Sequence, residues 1–187
     1  MMTELLSADF YALLVLCINL ITTISYLFII NNVKAKEGFY RLPLIIQKFY
    51  VLLFVLPLFI SPFLTKVTFL ENSFIKIVGI ILSLIGILFI LFSFLKIGVV
   101  PSISKSGLIT TGMYRIVRHP IYSGTLVLFL GLILFHSSAL SLLYFPLSIL
   151  LYWIMTYFEE RDLIRMFGEE YILYKQKVKS RIIPFVI

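Results

Sequence analysis

Charge-free apolar runs dominate the chain and divide it into segments of membrane-crossing length. Phe10 to Ile30 is 21 residues without a charge, and Ile77 to Leu95 is 19. Phe49 to Thr65 is 17, and Leu42 to Ile46 extends it across Gln47 and Lys48. A helix needs roughly 20 apolar residues to cross a bilayer, so these are three spans. Ile121 to Phe158 has no Asp, Glu, Lys or Arg over 38 residues. As one helix it would be about 57 Å long, nearly twice the hydrocarbon core. It is therefore expected to fold in two at its polar cluster, His136-Ser137-Ser138. The result is a tight hairpin of two short helices, each of about 15 to 20 residues, that barely cross. The pattern predicts an all-α integral membrane protein with five transmembrane helices.

Charge gives the orientation. With the N-terminus outside, the inner segments hold 14 of the 16 basic residues and the outer ones only Lys66 and Lys76. Basic residues gather on the cytoplasmic side, so the N-terminus is expected outside and the C-terminus inside. Glu4 and Asp9 precede the first run and no basic cluster does, so that run is expected to be a retained span, not a cleaved signal.

Composition narrows the class. The hydrophobic share is 61% and the charged share 13%, against about 45–50% and 25% in soluble domains. A soluble enzyme, a disordered chain and a nucleic-acid-binding domain are excluded, and the net charge of +7 reflects loops facing anionic lipid. The lone Cys17 permits no intrachain disulfide and no thiolate zinc cluster; it reads as a small hydrophobe.

The chain has two parts, residues 1–96 with three spans and residues 97–187 with nearly all the unusual polar chemistry. Much of the rest is structural. Pro57, Pro62 and Pro146 are expected to kink their spans. Gly79, Ser83 and Gly86, and Gly124 with Gly131, are expected to let helices approach closely. His136 is expected to be a turn residue.

Two clusters stand apart. The first is the inner connection from Ser106 to Tyr122. It carries Gly107 and Gly112 for turns, the aromatics Tyr114 and Tyr122, and Arg118-His119-Pro120. Pro120 suits the first turn of a helix, where its missing N–H costs nothing. A helix N-terminus beside Arg118 and His119 can seat a carboxylate or phosphate; the alternative is a basic loop touching lipid headgroups. The second cluster runs from Phe158 to Tyr171 and includes Glu159, Glu160 and Asp162. Acids at the inner end of a span are costly and need partners. A carboxylate pair there suits a cationic ligand; the alternative is a salt-bridged helix in which Glu160 pairs with Arg161 and Arg165.

Together, Gly112-Met113-Tyr114-Arg115-Ile116-Val117-Arg118-His119-Pro120-Ile121-Tyr122-Ser123-Gly124, the hydrophobic hairpin, and the segment from Glu159 to Pro184 form one pattern. It resembles the C-terminal half of the isoprenylcysteine carboxyl methyltransferases and the wider phospholipid methyltransferase-like group of membrane enzymes. The likeness covers about residues 98–187. It implies S-adenosylmethionine as cofactor, in a pocket closed by a cytoplasmic C-terminal helical segment. By position, Leu108, Ile109, Tyr114, His119, Pro120 and Tyr122 would hold the cofactor, and Glu159 would be the acid at the reaction centre. Arg118, Met155 and Glu160 would line the acceptor site. Two positions depart from the pattern: Met155 replaces an arginine four residues before the acid, and Val99 stands where some members have a glutamine.

The expected activity is methyl transfer to a hydrophobic or lipid-linked acceptor at the cytoplasmic membrane face. Its partners would be the bilayer and that acceptor; nothing in the sequence calls for nucleic acid or an obligate protein partner. Phospholipid N-methylation is the alternative within that chemistry. A nicotinamide-dependent reductase similar to the sterol reductases, or a non-enzymatic membrane scaffold, are the others.

Overall fold

A computed structural model describes residues 2–97 and 107–184; Val99, Lys105 and Ser106 lie outside them. The helices are α1 (Met2–Asn31), α2 (Val33–Arg41), α3 (Leu44–Leu64), α4 (Ser73–Ile97), α5 (Pro120–His136), α6 (Ala139–Phe167) and α7 (Glu169–Lys177), with a 3-10 turn at Gly112–Arg115. The fold is all-α and multi-pass. Four helices, α1, α3, α4 and α6, are long and apolar enough to cross a membrane, and α5 is a shorter apolar helix of 17 residues.

The long apolar run does break at its polar cluster. Ser137 takes a left-handed conformation with φ of 52° and ends α5, and the Ser138 side chain caps α6 by accepting from the Ser141 N–H. The second half of the hairpin is longer than expected. Instead of ending near Phe158, α6 continues for 29 residues to Phe167, about 44 Å. Its polar inner third stays helical because Gly168, with φ of 53°, supplies the next break. A second departure is α2, a nine-residue helix where the sequence promised only an inner connection.

Helix ends sort to two sides. On one, the Asp9 carboxylate accepts from the Thr65 hydroxyl and the Lys66 and Val67 N–H groups. The following loop ties to the hairpin turn through Phe69 N–H to Ser137 O and Ala139 N–H to Val67 O. On the other lie α2, the 3-10 turn and α7.

Packing follows from small and kinking residues. Pro57 has no N–H to give the Leu53 carbonyl, and Thr22 of α1 donates to that carbonyl at 3.4 Å. Next to it, buried Asn19 donates to Phe54 O at 2.6 Å and accepts from the Tyr144 hydroxyl at 2.6 Å. One side chain thus joins α1, α3 and α6. Between α4 and α5 the backbones touch. A Cβ on Gly131 would lie 2.5 Å from Ser83 N, and one on Gly86 would lie 2.5 Å from Leu128 N. The small-residue stripes on both helices are therefore a contact surface.

That surface makes a direct prediction. Gly131→Leu is expected to destabilise the protein by about 3 kcal/mol or more, because the obstructing atoms are backbone and cannot rotate away. Gly38→Ala, with nothing within 4 Å, is expected to leave the thermal midpoint unchanged. Thermal denaturation of both variants in detergent checks this; equal midpoints would show that α4 and α5 are not in backbone contact.

Candidate functional site

The site forms where four polar segments meet at the end of the bundle that carries α2 and α7. The loop from Leu108 to His119 turns at Gly112, whose φ of 67° suits glycine. Pro120 occupies the first turn of α5, as its fixed φ and missing donor favour. The inner third of α6 brings Glu159 and Glu160, and α7 brings Tyr171 and Tyr174. Residues 178–184 then return as a strap across the loop.

Arg118 holds strap and loop together. Its side chain is buried, and its Nε donates to Glu160 Oε1 at 2.7 Å. Its Nη1 donates to the carbonyls of Val178 and Lys179, both at 2.6 Å. The loop backbone adds Arg118 N–H to Ser180 O and His119 N–H to Arg181 O, both 3.0 Å. Ser123 donates its hydroxyl to Ile182 O. On the other side of Glu160 are Lys175 at 3.3 Å and Arg181 at 3.3 Å. The Arg181 guanidinium lies 4.7 Å over the Trp153 ring.

This geometry changes two sequence readings. Arg118 and His119 are buried, so they do not form a headgroup-touching surface. Nor does Glu160 pair with Arg161 and Arg165 along α6. It points inward to Arg118, while Asp162 takes Lys36 at 2.5 Å and Arg165 at 3.7 Å.

Next to this knot is a second polar group. The Tyr122 hydroxyl donates to Glu159 Oε1, and His119 Nδ1 lies 3.5 Å from Glu159 Oε2. His119 Nε2 lies 3.4 Å from Glu160 Oε1 without hydrogen-bond geometry. Burial disfavours a charged imidazole, but the two carboxylates outweigh it and hold the His119 pKa above its ordinary 6.5. The rings of His119, Tyr122 and Tyr152 stack in sequence, with centroids 5.9 and 5.2 Å apart.

Glu159, His119 and Tyr122 face a cavity of about 660 Å³. Leu108, Ile109, Tyr114 and Pro120 line it too, as do Arg118 and Met155. Of the sequence-predicted site residues, only Glu160 is not in the lining. Its charge is spent on the strap. Met155 is 1% exposed.

The sequence reading missed the opposite wall. Tyr26 of α1, Phe39 and Tyr40 of α2, and Tyr50, Phe54 and Phe59 of α3 all line the cavity, and Ile90 and Phe94 of α4 extend it. Tyr26 and Tyr50 carried a signal, since a phenol inside an apolar span needs a polar partner or a cavity. The Tyr50 hydroxyl finds Thr22 O at 3.0 Å. Tyr171, 1% exposed, also lines the cavity, and its buried hydroxyl has no hydrogen-bond partner among the described residues.

Known proteins match part of the chain. A segment of Methanethiol S-methyltransferase 1 from Bradyrhizobium diazoefficiens is 41% identical over 73 residues, which is 39% of this chain and 25% of that protein. Protein-S-isoprenylcysteine O-methyltransferase B from Arabidopsis thaliana is 35% identical over 80 residues, 42% of this chain and 40% of that protein. A probable protein-S-isoprenylcysteine O-methyltransferase from Oryza sativa subsp. indica is 40% identical over 80 residues, again 42% of this chain and 41% of the relative. The matches thus span a quarter to two-fifths of these relatives' lengths. The phospholipid methyltransferase family matches residues 74–170, more than half of the chain and the stretch that carries α4, the loop, the hairpin and Glu159. This chain belongs to the phospholipid methyltransferase family.

Proposed function

We propose that this protein transfers a methyl group from S-adenosylmethionine to a hydrophobic or lipid-linked acceptor at the cytoplasmic face of its membrane. The observation that carries the reading is the cavity itself: a carboxylate, Glu159, stands where a polar loop wall meets an apolar wall from α3 and α4. The family membership supports the same chemistry. The 14-to-2 distribution of basic residues supports the cytoplasmic orientation.

The residues fit the cofactor. About 660 Å³ is within the usual range for a ligand of this size. The Tyr171 hydroxyl lacks a partner among the described residues, and Glu159 offers a negative charge to a cationic group. Leu108, Ile109, Tyr114, His119, Pro120 and Tyr122 would hold it. When bound, S-adenosylmethionine supplies an activated methyl on a sulfonium. The chain's own work is to orient acceptor and donor and to exclude water. Tyr122 and His119 fix the Glu159 carboxylate from two sides, so its oxygens have a set direction. An amine, thiol or hydroxyl acceptor that must lose a proton can give it to Glu159.

The cavity also bears on the acceptor. Where the pattern has an arginine, buried Met155 offers no charge. Arg118 is already paired, its Nε with Glu160 and its Nη1 with two carbonyls, and Arg161 lies outside the lining. Lys48, the other basic residue of the described lining, is exposed on α3. A neutral or potentially cationic reacting end, such as an amine, thiol or hydroxyl, fits this wall better than a free carboxylate. S-methylation and phospholipid N-methylation both fall in that class.

The test is radiolabelled methyl transfer into lipid extracts by purified protein, with calorimetry of S-adenosylmethionine and NADPH binding alongside. Glu159→Gln is expected to lower turnover about a hundredfold or more while cofactor affinity stays within about threefold, the pattern of a group needed in the transition state. His119→Ala and Tyr122→Ala are expected to weaken cofactor binding about tenfold with the fold retained. NADPH binding in place of S-adenosylmethionine would overturn the reading in favour of a reductase, and binding of neither would favour a scaffold. For orientation, Ser7→Cys is expected to label from outside in a Cys17→Ser background, and Lys179→Cys to be protected; the reverse would invert the topology.

A further inference from the structure

A second cavity, of about 490 Å³, lies between the α1–α2 junction and the inner part of α6. Four cations line it, Lys36, Arg41, Arg161 and Arg165, against two carboxylates, Glu37 and Asp162. Asp162 already serves Lys36 at 2.5 Å and Arg165 at 3.7 Å. Arg161 donates Nη1 to Asn31 Oδ1 at 3.2 Å and lies 5.1 Å over the Phe158 ring. Its Nε is buried with no hydrogen-bond partner among the described residues. A concave site with excess positive charge and an unused guanidinium donor calls for an anion with several acceptor oxygens.

The surface leading to the cavity says which kind of anion. Leu143, Leu150 and Tyr157 are 78%, 54% and 58% exposed. They are spaced seven residues apart on α6, and Arg161 follows four residues after Tyr157, so all four share a helix face. An apolar track along a spanning helix thus ends at the basic cavity. From these features we infer that the cavity seats the headgroup of an anionic phospholipid of the inner leaflet, whose acyl chain lies along the Leu143–Leu150–Tyr157 face.

The position gives the lipid a role. Tyr40 of α2 lines both this cavity and the larger one. Lys36, also on α2, bridges to Asp162 of α6. A headgroup held by Lys36 and Arg161 fastens α2 to α6, and so fixes a wall of the larger cavity. This consequence for methyl transfer rests on the proposed function; the lipid site itself does not.

Binding is therefore read without methyl donor or acceptor. The delipidated full-length protein is titrated in detergent with phosphatidylglycerol, phosphatidylcholine or glycerol phosphate, and retained adducts are counted by native mass spectrometry. Phosphatidylglycerol is expected to bind most tightly, and Arg161→Gln and Arg165→Gln to weaken it about fivefold each. Lys66→Gln, on the opposite side, is expected to have no effect. Should Arg161→Gln fail to fold, Arg41→Gln on exposed α2 tests the same site with the same expected loss. Equal binding of phosphatidylcholine, competition by glycerol phosphate at equal concentration, or full retention in the cavity variants would each overturn the proposal.

Discussion

The site end of this protein is organised around one buried ion pair, Arg118 with Glu160. Removing two charges from water costs several kcal/mol each, and Coulomb attraction repays that only when the remaining donors and acceptors are used. Here they are. Arg118 also donates to two strap carbonyls, and Glu160 has Lys175 and Arg181 within 3.3 Å. Loss of one partner would leave an uncompensated charge, at a cost of about 3–5 kcal/mol. The pair's structural result is the seating of residues 178–182 over the 118–119 backbone. That places His119 beside Glu159 on the polar wall of the cavity.

The second requirement is the backbone contact of α4 with α5. The loop from 107 to 119 connects to α5 at Pro120, so the height and tilt of α5 set where the loop lies. Gly79, Gly86, Gly124 and Gly131 allow α5 to sit against α4 at a distance that no other residue type permits. The separation of labour is clear in space. The loop, the start of α5 and α6 with Glu159 set the polar wall, while α1, α2, α3 and α4 supply an aromatic and aliphatic wall opposite. The lipidic acceptor and polar donor of the proposed reaction would meet at a boundary between these two chemistries.

The legible parts of this architecture were those written as local pattern. Charge-free runs marked the long helices. The cluster His136-Ser137-Ser138 marked the hairpin turn, because it is the one run of consecutive polar residues in 38 that lack any Asp, Glu, Lys or Arg. Pro120 marked the start of α5. The loop motif picked out seven residues that do line one cavity, with Met155 and Glu159 of α6 added by the second cluster, because the chemistry is concentrated in two short stretches. What was hidden depends on tertiary contact. Glu160 and Glu159 are adjacent in sequence yet face different partners, and only the strap's return reveals which one is consumed. The aromatic wall from α1, α2 and α3 was obscured because Phe and Tyr are ordinary in spans. The length of α6 was underestimated because charge was taken as its end, whereas the helix persists until Gly168.

The central claim is that the Arg118–Glu160 pair holds the strap on the loop. Hydrogen exchange of the Arg118 and His119 amides measures it most directly, since both donate to strap carbonyls. In the wild type both are expected to exchange slowly, and Glu160→Gln is expected to speed both at least about tenfold while amides within α4 keep their protection. Unchanged protection at 118 and 119 in that variant would contradict the account, because the strap would then be held by something other than the ion pair.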